Sequence, residues 1–159
     1  MKTLILGLGN DIMSDDAAGI LVARAIKARI DDGVADVVES TYAGWRLIDL
    51  LRGYERVIVV DAIVSSQCAP GAVCRVDLAD IRSLHLQSSH GMGLHEACSF
   101  ARLNGFQMPQ VLSAYAVGVT NPYVFGTELS QEVADCIDAI ADEIIREESL
   151  VIHTCAVVG

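Results

Sequence analysis

Two rhythms of apolar residues run along the chain. Short unbroken apolar runs mark buried strands, and apolar residues at three- and four-residue spacing mark helices. Thr3–Leu8 (TLILGL) reads as the first strand, Val34–Glu39 as the second, and Arg56–Ala62 (RVIVVDA) as a central one, because its β-branched residues leave no polar face. Helical spacing covers Ala17–Ile30 and Gly44–Arg52. After the turn at Ala69-Pro70-Gly71 the pattern changes: Val73–Leu78 follows too soon for a helical crossover, so it is expected to run antiparallel at an edge. Asp80–Gly93 reads as a loop. Leu94–Leu103 is a third helix stopped by Asn104-Gly105, and Val111–Val119 is another buried strand. The segment from Thr120 to Leu129 is a loop, and Ser130 stands as the cap of a last helix reaching about Glu147.

This order, β-α-β-α-β-β-α-β-α, predicts a three-layer α/β/α sandwich with a flavodoxin-like, mostly parallel sheet and one antiparallel edge strand. One domain is expected over residues 1–148. The tail 149–159 is apolar but has no evident place in the layout; docking on the sheet and contact with a partner both remain open. The length of 159 residues suits one domain. Aromatics make up only 5% of a chain that is 52% hydrophobic, so the core must rest on Val, Ile, Leu and Ala.

Charge narrows the function. A formal net charge of -10 disfavours nucleic acid, which needs Lys and Arg against its phosphates, and disfavours anionic membranes. The start of the chain reads as a strand rather than a secretory leader, and no apolar stretch is long enough for a membrane span. The five cysteines (Cys68, Cys74, Cys98, Cys136 and Cys155) are scattered and form no CxxC, as expected for reduced thiols of a cytoplasmic protein.

In open α/β folds, ligands gather beyond the carboxyl ends of the strands, at the switch in strand order. Asp15 and Asp16 follow the first strand, where acids at the N-cap and first turn of a helix belong. Asp61 closes the third strand, and His90 lies in the loop before the third helix. Asp16, Asp61 and His90 could form a three-point metal site with open positions. Taken singly, Asp16 reads as a helix-terminal acid and His90 as a loop histidine. His85 and His95 are equally visible, and spacing does not choose among the three. Gly7-Leu8-Gly9-Asn10 looks like the start of a dinucleotide loop, but Ile12 stands where the third glycine belongs and three acids would face the pyrophosphate. A tight turn is the better reading.

Together these residues carry a resemblance. Leu6-Gly7-Leu8-Gly9-Asn10 with Asp15-Asp16-Ala17-Ala18-Gly19 resembles the opening of the nickel–iron hydrogenase maturation endopeptidases. Val60-Asp61-Ala62-Ile63-Val64 before Ala69-Pro70-Gly71, Ser89-His90 before Gly93-Leu94, and Ala116-Val117-Gly118-Val119 before Leu129-Ser130 and Val133 continue it in order over about residues 1 to 145. The resemblance implies an enzyme that removes the C-terminal extension of a hydrogenase large-subunit precursor after nickel insertion. It implies a metal site of Asp16, Asp61 and His90, thereby choosing His90, and the same three residues as the catalytic set. Nickel would be supplied by the substrate, with other divalent metals possible in the free protein. Oligomeric state is left open. In this chain the first acid is aspartate where some relatives have glutamate, and Glu39-Ser40-Thr41-Tyr42-Ala43-Gly44 is bulkier than the Gly/Thr-rich segment common among relatives. The alternative is a metal-sensing chaperone that binds the precursor without cutting it.

Overall fold

A computed structural model describes residues 1–77 and 94–152. Five strands form one sheet in the order β2-β1-β3-β5-β4. They are β1 (Thr3–Leu8), β2 (Asp36–Ser40), β3 (Arg56–Ile63), β4 (Val73–Val76) and β5 (Val111–Gly118). β1, β2, β3 and β5 run parallel, and β4 pairs antiparallel with β5 at the edge, as its short connection from β3 requires. The central strands are buried on both faces, which explains their unbroken apolar sequences.

Alternation along the strands divides the core in two. Ile5, Ile58, Val60, Tyr115 and Val117 face α1 (Ala18–Lys27) and α5 (Ile137–Glu147). Leu4, Leu6, Val57, Val59 and Ala114 face α2 (Ile48–Leu51) and α3 (Leu94–Leu103). The expected layers, strand directions and antiparallel edge are all present.

The helix ends differ from their apolar patterns. α1 begins at Ala18, after a 3-10 turn over Ser14–Ala17, and α2 is likewise preceded by a 3-10 turn over Gly44–Leu47. The last helical segment is divided, α4 (Gln131–Ala134) being separate from α5. Gly71 lies against this division, since a Cβ there would meet Cys136 Sγ at 2.9 Å and Glu132 O at 3.1 Å. β2 starts at Asp36, two residues later than its pattern suggests, and β3 continues through Ile63. The start of the apolar tail is placed: Leu150 is buried in the α1/α5 core, and Ile152 bridges to Ile30. The loop expected at Asp80–Gly93 lies outside the described residues.

Candidate functional site

The strand order reverses between β1 and β3: β1 leads outward to β2, and the chain then returns to the other side of β1. α1 seats its first turn over this gap. A Cβ on Gly19 would collide with the carbonyl oxygens of both Leu8 and Val60, so only glycine lets the helix approach so closely. Gly9 has a similar duty, because a side chain there would run into the Asp16 carbonyl. The glycines of the first loop thus serve backbone packing between β1 and the following turn.

Asp16 lies in that 3-10 turn, which packs on β3, and its N–H donates to the Met13 carbonyl at 3.0 Å. Asp16 precedes Gly19 by one helical turn, and Asp61 directly follows Val60, so both acids border the same notch at the carboxyl edge. Asp16 is 6% exposed and Asp61 is completely buried. By alternation with Val57 and Val59, Asp61 belongs to the α2/α3 face, and its Oδ1 accepts the Ala62 N–H at 2.8 Å. Asp61 is not the final residue of its strand: β3 runs two residues further, while β1 stops pairing at Gly7↔Val60. It is the end of its neighbour that brings Asp61 to the edge.

His90 and His85 lie outside the described residues. His95 is exposed on the first turn of α3. Among the described residues no set of three metal-ligating side chains is assembled.

Asp15 has a role that sequence does not suggest. It is fully buried, and its carboxylate accepts both the Ser130 N–H at 2.7 Å and the Ser130 hydroxyl at 3.0 Å. Ser130 therefore turns its hydroxyl to Asp15 instead of capping α4 with it. The same two loops are joined by Ser14 N–H to Gly126 O at 2.8 Å and by the Ser14 hydroxyl to Glu128 O at 2.8 Å. Asp15 thus fastens the turn carrying Asp16 to the loop after β5. Asp15→Ala leaves two donors without their buried acceptor and is expected to lower stability by about 2–3 kcal/mol, read by thermal denaturation.

Two buried thiols are poor nucleophiles. Burial, reinforced by neighbouring Cys74, pushes the Cys68 thiol up to about 12, and burial also raises Cys98. Neither is ionised near neutrality, so neither offers the thiolate that cysteine catalysis needs. What the edge offers is two aspartates with oxygen donors suited to a divalent ion or to proton transfer.

On the far side of β1, the segment after β2 reaches the same edge. Gly9 N–H donates to Ser40 O at 3.1 Å, and Tyr42 N–H to Ser40 Oγ at 3.0 Å. Glu39 is held by a two-point bond from Arg24, both contacts at 2.7 Å, which lowers its carboxyl below the usual range. Asp11, Glu39, Ser40, Thr41 and Tyr42 line an open cavity of about 390 Å³ here.

Residues 20–147 match the family described as HycI, hydrogenase maturation protease. The hydrogenase 2 maturation protease of Escherichia coli is 29% identical over 120 residues, covering 74% of this chain and 73% of that protein. Among solved structures, the hydrogenase maturating endopeptidase HybD of E. coli superposes with a TM-score of 0.74 over 96% of each chain at 25% identity. The [NiFe] hydrogenase maturation protease HybD of Thermococcus kodakarensis gives a TM-score of 0.66 at 25% identity, over 93% of this chain and 99% of that one. The family match takes in most of the chain, from α1 through α5, and on that breadth of agreement the chain belongs to the hydrogenase maturation protease family.

Proposed function

We propose that this protein is a cytoplasmic endopeptidase that removes the C-terminal extension of a nickel–iron hydrogenase large-subunit precursor. The observation that carries the reading is the pair of buried aspartates, Asp16 and Asp61, at the β1/β3 switch point of a hydrogenase maturation protease fold. Nickel already held by the precursor would be the readiness signal, and Asp16, Asp61 and His90 are the residues that would hold it at this edge. Two carboxylates and one imidazole are a donor set that a borderline divalent ion accepts. They are also too few to hold it tightly alone, which fits a metal arriving with the substrate. Bound at this edge, such a metal supplies Lewis-acid polarisation of a peptide carbonyl or of water.

The chain's own residues have simpler tasks. Asp61 is fixed by its strand and by the Ala62 amide, so its carboxylate keeps one orientation. Asp16 is fixed by its turn and, through Asp15, by the Ser130 loop. One of the two carboxylates can take a proton from attacking water while the other remains a ligand. The Glu39–Gly44 segment, at the mouth of the same edge, is suited to choosing between precursors; exchanging it for a relative's segment is expected to alter which precursor is processed.

Replacing each histidine tests the ligand set. With a nickel-loaded precursor, His90→Ala is expected to slow processing at least about 100-fold, as removal of a proton-transfer or metal-binding group does, while His85→Ala processes at the wild-type rate. The opposite pattern would overturn the assignment of His90. Wild-type protein that forms a stable complex with the precursor yet leaves its length unchanged would replace the endopeptidase reading with the chaperone one.

A further inference from the structure

Ile12, Tyr123, Val124 and Phe125 are 52%, 71%, 54% and 80% exposed, although all are large apolar side chains. They sit on two loops, one leaving β1 and one leaving β5, at the carboxyl edge that carries Asp16 and Asp61. The loops are bound together. Met13 and Gly126 form a β-bridge, and Gly126 N–H donates to Ile12 O at 3.0 Å. Ser14 bonds to Gly126 and Glu128, and Asp15 to Ser130. The apolar side chains are therefore displayed on a braced platform, and the brace is the turn that holds Asp16.

A fixed cluster of exposed aromatic and aliphatic side chains is unfavourable in water and marks a contact surface. Neither loop contains a lysine or arginine, while Asp11 and Glu128 flank the cluster and are exposed. The surface is apolar at its centre and negative at its margin.

We propose that this platform is the docking surface for the precursor segment next to the scissile bond, and that the segment is apolar with Lys or Arg beside it. Two observations select this occupant. The platform is continuous with the Asp16 turn, so a chain lying across it passes directly to the catalytic edge. Its acidic margin complements basic side chains, and the protein's net charge of -10 extends the same preference. The inference rests on the endopeptidase reading but concerns binding, which is measurable apart from cleavage.

The test uses the full chain carrying Tyr123→Ser and Phe125→Ser together, compared with wild type and with Leu103→Ser. Leu103 is 86% exposed at the C-terminal end of α3, by the opposite edge of the sheet, and serves as the control. Nickel-loaded precursor is titrated against each protein for Kd, and processing is followed separately for kcat and KM. Loss of two aromatic anchors is expected to raise Kd and KM at least about tenfold while kcat stays within about twofold, and added salt is expected to weaken wild-type binding. Leu103→Ser is expected to match wild type. An unchanged Kd in the double variant, with wild type still cutting, overturns the docking surface and leaves the endopeptidase reading intact. An equal rise for Leu103→Ser overturns it as well. Wild type that binds without cutting, and loses binding in the double variant, keeps the docking surface and removes the endopeptidase reading. Absence of both binding and cutting in wild type overturns both.

Discussion

Asp61→Asn is expected to abolish precursor processing while leaving the fold intact. Asp61 is completely buried, so a change there can fail for two reasons: a damaged core or a lost carboxylate. Asparagine separates them. It has nearly the same shape, and its side-chain oxygen can still accept the Ala62 N–H that Asp61 Oδ1 accepts at 2.8 Å. The negative charge is lost, together with the ability to take a proton or ligate a metal as an anion. We expect the rate to fall by about 100-fold or more, the scale of losing an acid–base group, with a melting temperature within a few degrees of wild type. Processing time courses and thermal denaturation of the same preparation provide the check. Near-normal processing by Asp61→Asn would remove every version of the mechanism in which this carboxylate acts.

A loss of stability without direct involvement in chemistry is expected at Arg56. Glu148, at the end of α5, is only 6% exposed. Its carboxylate accepts from the Arg56 guanidinium and, at 2.6 Å, from the Tyr115 hydroxyl, while Arg56 also donates to the Glu148 carbonyl at 2.7 Å. These contacts fasten the last helix to β3 and β5. Arg56→Met would leave this buried carboxylate with only the more exposed Arg75, 4.0 Å away, as a cation, at a cost of about 3 kcal/mol. For a domain of this size that corresponds to a melting temperature lower by on the order of 10 °C.

The pH dependence has a defined sign. Burial by itself would raise the Glu148 carboxyl, but the hydrogen bonds from Tyr115, Arg56 and Ser113 outweigh it and hold the group below its ordinary value. A depressed folded-state value means that the stabilisation is complete above the unfolded value of about 4.3 and fades as pH falls through the folded one. The difference between wild type and Arg56→Met is therefore expected to be largest near neutrality and to shrink below roughly pH 4. Tyr115 is raised, by burial and then by Glu148, and stays a neutral donor throughout. Melting curves at several pH values check this, and a difference that stays constant into acid would show that Arg56 acts by packing alone.

The two networks also mark what the sequence could and could not convey. Strand positions were legible because a strand buried on both faces can carry almost nothing polar, as in Arg56–Ile63. The antiparallel edge followed from the short connection after β3. Helix ends were less legible: an apolar rhythm does not encode the 3-10 entries before α1 and α2 or the division between α4 and α5. Asp16 and Asp61 emerged from the rule that sites gather at the carboxyl edge. The work of Asp15 and of Glu148 stayed hidden because their partners are remote: Ser130 is 115 residues from Asp15, and Arg56 is 92 from Glu148. The choice of His90 over His85 and His95 came from resemblance alone, since three nearby histidines offer no periodicity by which one stands out.

Intact-mass measurement of a large-subunit precursor, nickel-loaded in one sample and nickel-free in another, decides whether this protein is a nickel-directed endopeptidase. After incubation with the wild-type protein, the nickel-loaded precursor should lose one defined C-terminal peptide, and the nickel-free precursor should keep its full mass. Unchanged mass in both samples, or equal shortening of both, would contradict that reading.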